Sequence, residues 1–346
     1  MLVGGGSNSS AHKLLRSAMN NTAVSDEIVD GVWKRYLGWV TISLLAAFLL
    51  NNFLNIYLGF KGIFSLVSQV SITGIVSLFI YVICIALGIW QVKRTIHESY
   101  RTQAKKLHDF NVYFLRACFF AVLFVGCVDF SLALLRSLDV LVGLIGENFN
   151  RALGLGNIVG PFLHVPLIIL GFIVAYFSKT LGWTWLALLI VFAELIIVLS
   201  RFLFSYEQSF MADLVRYWYA ALFLFASAYT LYDEGHVRVD VIYAGLSDKV
   251  KAYVNAWGSY VLGVLTMAVV VMIGFNGKTS IINSPLLVFE ITNQGINGMF
   301  IKYQMAMFLG IFGATMLIQF VVQFFDSIAD ISGEPGKRDT SIKLGH

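Results

Sequence analysis

Two acidic residues stand inside long apolar runs of the chain, where a charge is costly. They are Glu194 and Asp129, and each is followed seven residues later by an arginine, Arg201 and Arg136 respectively. Seven residues make two helical turns, so each acid shares a helix face with its arginine, but about 10 Å of axial distance keeps the two groups from pairing directly. Such a carboxyl group either relays protons or ions, or is buried and hydrogen-bonded to fix helix packing. Both interpretations stay open.

A second charged pair opens the apolar run that follows Glu194. Asp213 and Arg216 are three residues apart at the predicted start of a helix. An acid suits the positive end of a helix, and an i,i+3 pair adds a few tenths of a kcal/mol. The pair is interpreted either as a contact at the outer membrane interface or as local capping of the helix.

The same run ends in a short stretch of alternating polar and apolar residues. Gly235 is suited to ending a helix, because glycine adopts the left-handed conformation without strain. After Glu234, the side chains of His236, Arg238 and Asp240 are expected on one face of an extended segment. This elbow either pins two helices or a partner, or is a solvated turn.

Other chemistry has little support in the sequence. No histidine has a neighbour at metal-ligand spacing, and the three cysteines lie in apolar runs without a CxxC pair. Nucleotide-binding and hydrolase motifs are missing. We therefore predict no catalytic residue, no metal and no cofactor in this chain, and no nucleic-acid partner.

The composition predicts that the helices containing these residues lie in a lipid bilayer. Of 346 residues, 58% are hydrophobic and only 13% are charged, about half the charged fraction of a typical soluble domain. Crossing a bilayer takes about 20 mostly apolar residues, and eight runs qualify. They are 37–57, 67–91, 112–135, 162–178, 182–203, 212–232, 253–275 and 303–325. We predict an all-α integral membrane protein of about eight transmembrane helices.

Charge and pattern place the remaining segments. Most of the 24 Lys and Arg residues fall on the side of the N-terminus, which predicts that both termini are cytoplasmic. Residues 25–36 read as an amphipathic interfacial helix capped by Ser25, and residues 139–156 as a second interfacial segment on the outer side. Residues 93–109 are predicted to form a basic cytoplasmic loop, and the tail after Asp330 to be loose.

The stretch from Ser200 to Gly258 resembles the small (Q-type) permease subunit of tripartite ATP-independent periplasmic (TRAP) transporters. The family has an arginine at the outer end of its first helix, then an acidic and a basic residue, and a signature close to R-E-x-x-H-V-R-V-D after its second helix. The matching positions are Arg201, Asp213, Arg216, Glu234, His236, Val237, Arg238, Val239 and Asp240. Residues 298–325 resemble the family's last helix. Tyr232 stands where the signature usually has arginine.

The resemblance covers roughly residues 181–330 and implies a four-helix small-permease unit. It divides the chain into a cytoplasmic N-terminus (1–36), an extension of four transmembrane helices (37–180), the small-permease unit (181–330) and a cytoplasmic tail (331–346). It also implies a scaffold in the bacterial inner membrane. The implied partners are a large elevator-type permease subunit, which would carry the sodium coupling, and a periplasmic substrate-binding protein.

Two other functions compete with this one. A self-sufficient transporter or channel would use Glu194 and Asp129 as a polar path. A membrane-enzyme anchor would hold haem or quinone, for which a spaced histidine pair is the usual sign. Neither the transported solute nor the role of the four extra helices follows from the sequence.

Overall fold

Helices make up every regular element in the part of the chain that the structure describes. A computed structural model describes residues 7–63, 65–180, 182–205, 209–233, 241–292 and 297–337. The long helices are α1 (Ser7–Tyr57), α2 (Ile72–Arg94), α3 (Tyr100–Ser137), α4 (Gly156–Phe177), α5 (Trp183–Phe204), α6 (Ser209–Tyr232), α7 (Asp248–Gly274) and α8 (Lys302–Ile331). Short helices cover Ser65–Ser68, Leu141–Ile145, Glu147–Leu153, Tyr243–Gly245 and Asn283–Leu287.

Seven of the eight long helices are long and apolar enough to cross a membrane, which confirms the all-α integral membrane class. The helix outside this set is α6. It is 24 residues long, but its first half carries Asp213, Arg216 and several aromatic residues, which lower its mean hydropathy. The helix α6 packs against α3, α5 and α8 inside the bundle. That α6 crosses the membrane stays a prediction, as does the cytoplasmic location of both termini.

The last long helix, α8, lies at the centre of the molecule. In its most apolar stretch 56% of the residues are buried, against 17% for α1, α2 and α5. It packs against α1, α3, α6 and α7. Two apolar cores meet along it, one with α3, α5 and α6, and the other with α1, α3 and α7.

The second most buried long helix, α3, belongs to the predicted extension. Its residues contribute to both cores, through Leu115, Val122 and Val125 in one and Ala104 and Leu107 in the other. The extension and the small-permease unit are therefore not separate packing layers, because α3 packs against both α6 and α8.

Two predicted boundaries on the N-terminal side are wrong. The segment 25–36 is no separate helix, since α1 runs unbroken from Ser7. The predicted loop 93–109 is mostly helix, because Ser99 caps α3 through the Thr102 N–H at 3.1 Å. The short α2–α3 turn is held by Arg35, whose Nη1 donates to the Glu98 carbonyl oxygen at 2.7 Å.

The end of α8 is fastened to the start of α3. The carboxylate of Glu334 accepts the backbone N–H groups of Tyr100 and Arg101 at 2.9 and 3.1 Å. Arg101 in turn donates to Asp330 Oδ1 at 2.8 Å. The first residues after α8, predicted to be loose, are thus hydrogen-bonded as far as Pro335, and the tail beyond residue 337 lies outside the described residues.

Two of the long helices contain a π-helical turn. In α4 it covers Gly160–His164 and includes Pro161, and in α7 it covers Gly258–Val264. Such turns recur at functional sites, because the extra residue per turn redirects the side chains that follow. In α4, the redirected side chain is that of His164, which is fully buried.

Candidate functional site

A buried polar cluster lies where the end of α3 meets the beginnings of α4, α6 and α8. Its first member is Asp129, which is 2% exposed. Asp129 Oδ2 accepts the backbone N–H of Phe300 at 2.6 Å, and Asp129 Oδ1 lies 3.4 Å from His164 Nε2. Since a carboxylate only accepts hydrogen bonds, this contact fits the imidazole tautomer that carries its proton on Nε2.

The second ring nitrogen of the imidazole, Nδ1, contacts side chains from α8. His164 Nδ1 lies 2.9 Å from the Tyr303 hydroxyl and 3.0 Å from Gln304 Nε2. Gln304 also donates to the Tyr303 hydroxyl at 3.0 Å, and its Oε1 accepts from the buried Tyr217 hydroxyl on α6. Four helices are joined through one continuous set of hydrogen bonds, which we call the polar joint: Asp129, His164, Tyr217, Tyr303 and Gln304.

A second carboxylate reaches the same backbone segment before α8. Asp213 is buried, and its Oδ2 accepts the Met299 N–H at 3.5 Å, next to the Phe300 N–H held by Asp129. Arg216 Nη1 lies 3.8 Å from Asp213 Oδ1, with its own side chain 67% exposed. The predicted proximity of Asp213 and Arg216 is therefore present, and Asp213 also holds the entry to α8.

Arg136 is directed to the same segment from α3. Its guanidinium carbon lies 5.6 Å from the centre of the Phe300 ring, and its Nη2 donates to the Leu153 carbonyl oxygen at 3.2 Å. Asp129 and Arg136 thus contact Phe300 from one helix face, one at the N–H and the other at the ring. The members of the polar joint are buried and hydrogen-bonded to one another, so the arrangement is suited to holding helices in place.

Glu194 has a different environment from Asp129. It is exposed near the middle of α5, whereas Leu186, Ile190 and Ala193 form the buried stripe of that helix. Glu194 is therefore not buried within this chain, and both interpretations of its role stay predictions. Arg201 is exposed two turns later on the same helix, so the structure does not bring Glu194 and Asp129 together.

The elbow residues Glu234, His236, Arg238 and Asp240 lie outside the described residues. Their predicted arrangement on one face stays a prediction.

Comparison with known proteins identifies the second part of the chain. Residues 187–330 match the family model "Tripartite ATP-independent periplasmic transporters, DctQ component". This segment belongs to the DctQ family. No curated protein and no solved structure matches the chain.

The DctQ match confirms the resemblance to the small permease subunit, while the predicted division of the chain at residues 181–330 stays a prediction. It covers most of α5 together with α6, α7 and α8. Four membrane-length helices precede the DctQ segment, within residues 31–177. The chain is therefore a multi-pass membrane protein that joins a DctQ segment to a four-helix extension.

The polar joint lies across the boundary between these two parts. Asp129 and His164 belong to the extension, whereas Tyr217, Tyr303 and Gln304 belong to the DctQ segment. Sequence reasoning identified Asp129 but missed its partners, because His164 is 35 residues away and Tyr303 a further 139. The available signal was a histidine between Pro161 and Pro166 in an apolar run, a place where an unpaired imidazole is costly.

An apolar cavity of about 540 Å³ lies between α3 and the second half of α6. Phe119, Trp183 and Leu222 are among its lining residues, with Thr230 and Asp233 at the end of α6. Its walls match an acyl chain better than a charged organic solute, because they offer few hydrogen-bonding groups.

Proposed function

We propose that this chain is the small scaffold subunit of a TRAP-type secondary uptake system. The observation that carries the proposal is the DctQ segment itself, built around the central helix α8 and matched over residues 187–330. In this role the chain enlarges the fixed part of a membrane complex and performs no catalysis. A large permease subunit binds the solute and moves, driven by an ion gradient with sodium coupling in that partner, and a periplasmic protein delivers the solute.

The proposed topology places the polar joint at the outer side of the bacterial inner membrane. With both termini cytoplasmic, the beginnings of α4, α6 and α8 face outward. Arg216, largely exposed beside Asp213, then lies at the surface that a delivering protein approaches. We propose Arg201 and Arg216 as outer contacts of the complex, with the buried carboxylate of Asp213 positioning Arg216.

The extension supports the scaffold role through its packing. Because α3 packs against both α6 and α8, the extension contributes to the core of the DctQ segment, which favours a scaffold over an independent transport unit. The alternative of a self-sufficient transporter needs a polar path through this chain. Asp129 is engaged by Phe300 and His164, while Glu194 faces outward, so their positions favour the scaffold.

Purification and reconstitution test the proposal. The tagged chain, extracted in mild detergent from cells that express the whole transporter, should carry a large permease subunit in stoichiometric amount. Liposomes containing both subunits should take up solute when the binding protein and an inward sodium gradient are supplied. Uptake by this chain alone, or uptake by the large subunit that is unchanged without it, would contradict the scaffold role.

The elbow after α6 belongs to the same proposal as a contact with the large subunit or between helices. The double substitution His236→Ala with Arg238→Ala should weaken assembly or uptake. Full co-purification and full uptake by that variant would remove the elbow from the set of working residues.

A further inference from the structure

The outward face of α5 combines long apolar side chains with one carboxylate at mid-depth. The face consists of Val191, Glu194, Leu195, Val198 and Phe202, all exposed, and each lies three or four residues from another member of the set. Residues at this spacing form one stripe on a helix. We call this stripe the Glu194 face.

The depth of Glu194 makes its exposure informative. The helix α5 has 22 residues, and Glu194 lies about 15 Å from either end at 1.5 Å per residue. A glutamate side chain is too short to reach the polar interface from there, unlike lysine or arginine. In the described part of the chain, no hydrogen bond or ion pair to Glu194 is present.

Lipid alone does not satisfy this side chain in either protonation state. The carboxylate is a charge in hydrocarbon, and the protonated acid still has a donor and an acceptor without partners. Polar groups inside membranes therefore face protein. We infer that the Glu194 face is the seam on which the large permease subunit packs, with a basic or hydrogen-bond-donating side chain of that subunit directed at Glu194. This inference rests on the proposed function.

A second copy of this chain fits the face poorly. Two copies insert with the same orientation and depth, so a symmetric dimer built on this stripe opposes Glu194 to Glu194. Two ionised carboxylates in contact repel each other, so such a pair requires that at least one of the two is protonated. Arg201 is two turns away along the axis, about 10 Å, and does not come opposite Glu194 in that arrangement.

Photo-crosslinking in intact membranes tests the seam. A benzophenone amino acid is placed at Leu195, beside Glu194, and in a matched control at Ile83, which is exposed near the middle of α2. Leu195 is expected to form an adduct with the large permease subunit, and Ile83 is not. An adduct between two copies of this chain from Leu195, or equal large-subunit adducts from both positions, would overturn the inference.

Substitution of Glu194 gives an independent measurement. Glu194→Leu removes a polar group from a position exposed to lipid, so the isolated chain is not harmed, and a loss of partner reports the seam. Intramembrane hydrogen bonds are modest, so we expect about threefold to tenfold less large subunit to co-purify. Glu194→Gln, which keeps hydrogen-bonding capacity, should retain more than Glu194→Leu.

The results separate the seam from the proposed function. If the wild-type chain co-purifies with the large subunit and Glu194→Leu does so equally, the seam is wrong and the scaffold role stands. If the wild-type chain carries no large subunit, the scaffold role itself fails.

Discussion

At Asp129 one carboxylate satisfies two buried donors from different parts of the chain. Its Oδ2 accepts the Phe300 N–H, and its Oδ1 faces His164 Nε2. Both donors are buried, and neither has access to water if the carboxylate is lost. We therefore expect the residue to contribute to the stability of the fold.

The substitution Asp129→Leu should destabilise the fold strongly. It leaves the Phe300 N–H and the His164 imidazole without an acceptor, at a cost of about 1 to 3 kcal/mol for each group. Asp129→Asn keeps one acceptor oxygen and should lose about 1 kcal/mol. Thermal melts of the purified protein in detergent check this order, and a Leu variant as stable as wild type would refute it.

Glu334 gives a second prediction at the residue scale. Its carboxylate caps the first turn of α3 through two backbone N–H groups, so Glu334→Ala should cost about 1 kcal/mol. The matched control is Glu147→Ala. Glu147 pairs with Arg151 at 3.0 Å, but both side chains are 75% exposed, and such pairs contribute little. Equal melting temperatures for the two variants would argue against the cap.

At the scale of elements, close approach of α3 and α4 depends on Gly171. A Cβ atom at this position would lie 2.6 Å from the backbone nitrogen of Ala121. Backbone does not give way as a flexible side chain does, so the helices are forced apart. Small residues at such crossings are the usual means by which transmembrane helices pack closely.

Gly171→Ala should therefore lower the melting temperature, although alanine is the better helix former. The control is Gly258→Ala in α7, where a Cβ would meet no atom within 4 Å, and where stability should hold or rise. Cysteine crosslinking between α3 and α4 offers a second readout. If Gly171→Ala leaves the melting temperature unchanged, close approach of α3 and α4 does not contribute to stability.

The helices themselves were largely predictable from the sequence, because apolar length alone marks a membrane span. The run 67–91 corresponds to α2 (Ile72–Arg94), and the run 303–325 lies within α8 (Lys302–Ile331). The polar ends of the helices, which lie outside these apolar runs, cannot be recognised in this way. The first turns of α3, from Tyr100, carry charges, so the sequence predicts a loop there, since helix extending beyond lipid resembles a solvated segment in composition.

The candidate site was less accessible to prediction than the helices. The cost of burying an acid identified Asp129, but Tyr217 and Gln304 are ordinary polar residues near helix starts. Their convergence depends on how α4, α6 and α8 pack, which periodicity does not specify. Glu194 was identified by the same cost, yet only the structure shows that it faces away from the bundle.

At the scale of the whole molecule, the extension and the DctQ segment share one interior. We expect residues 181–346 expressed alone to be degraded or aggregated, because removal of α3 uncovers α6 and α8. Fluorescence-detected size exclusion measures this. Co-expression of residues 1–180 as a separate chain should restore a monodisperse peak. A stable, partner-binding fragment 181–346 would show that the added helices serve another purpose.

The central position of α8 has a consequence for synthesis. Proteins in general begin folding from the N-terminus while translation continues, whereas the most buried helix of this bundle, α8, is made after α1 to α7. We expect the earlier helices to lack much of their packing surface until residues 302–331 have been inserted. The nascent chain should therefore be vulnerable to quality-control proteases until then, and a stop codon before residue 302 should be as damaging as loss of the entire protein.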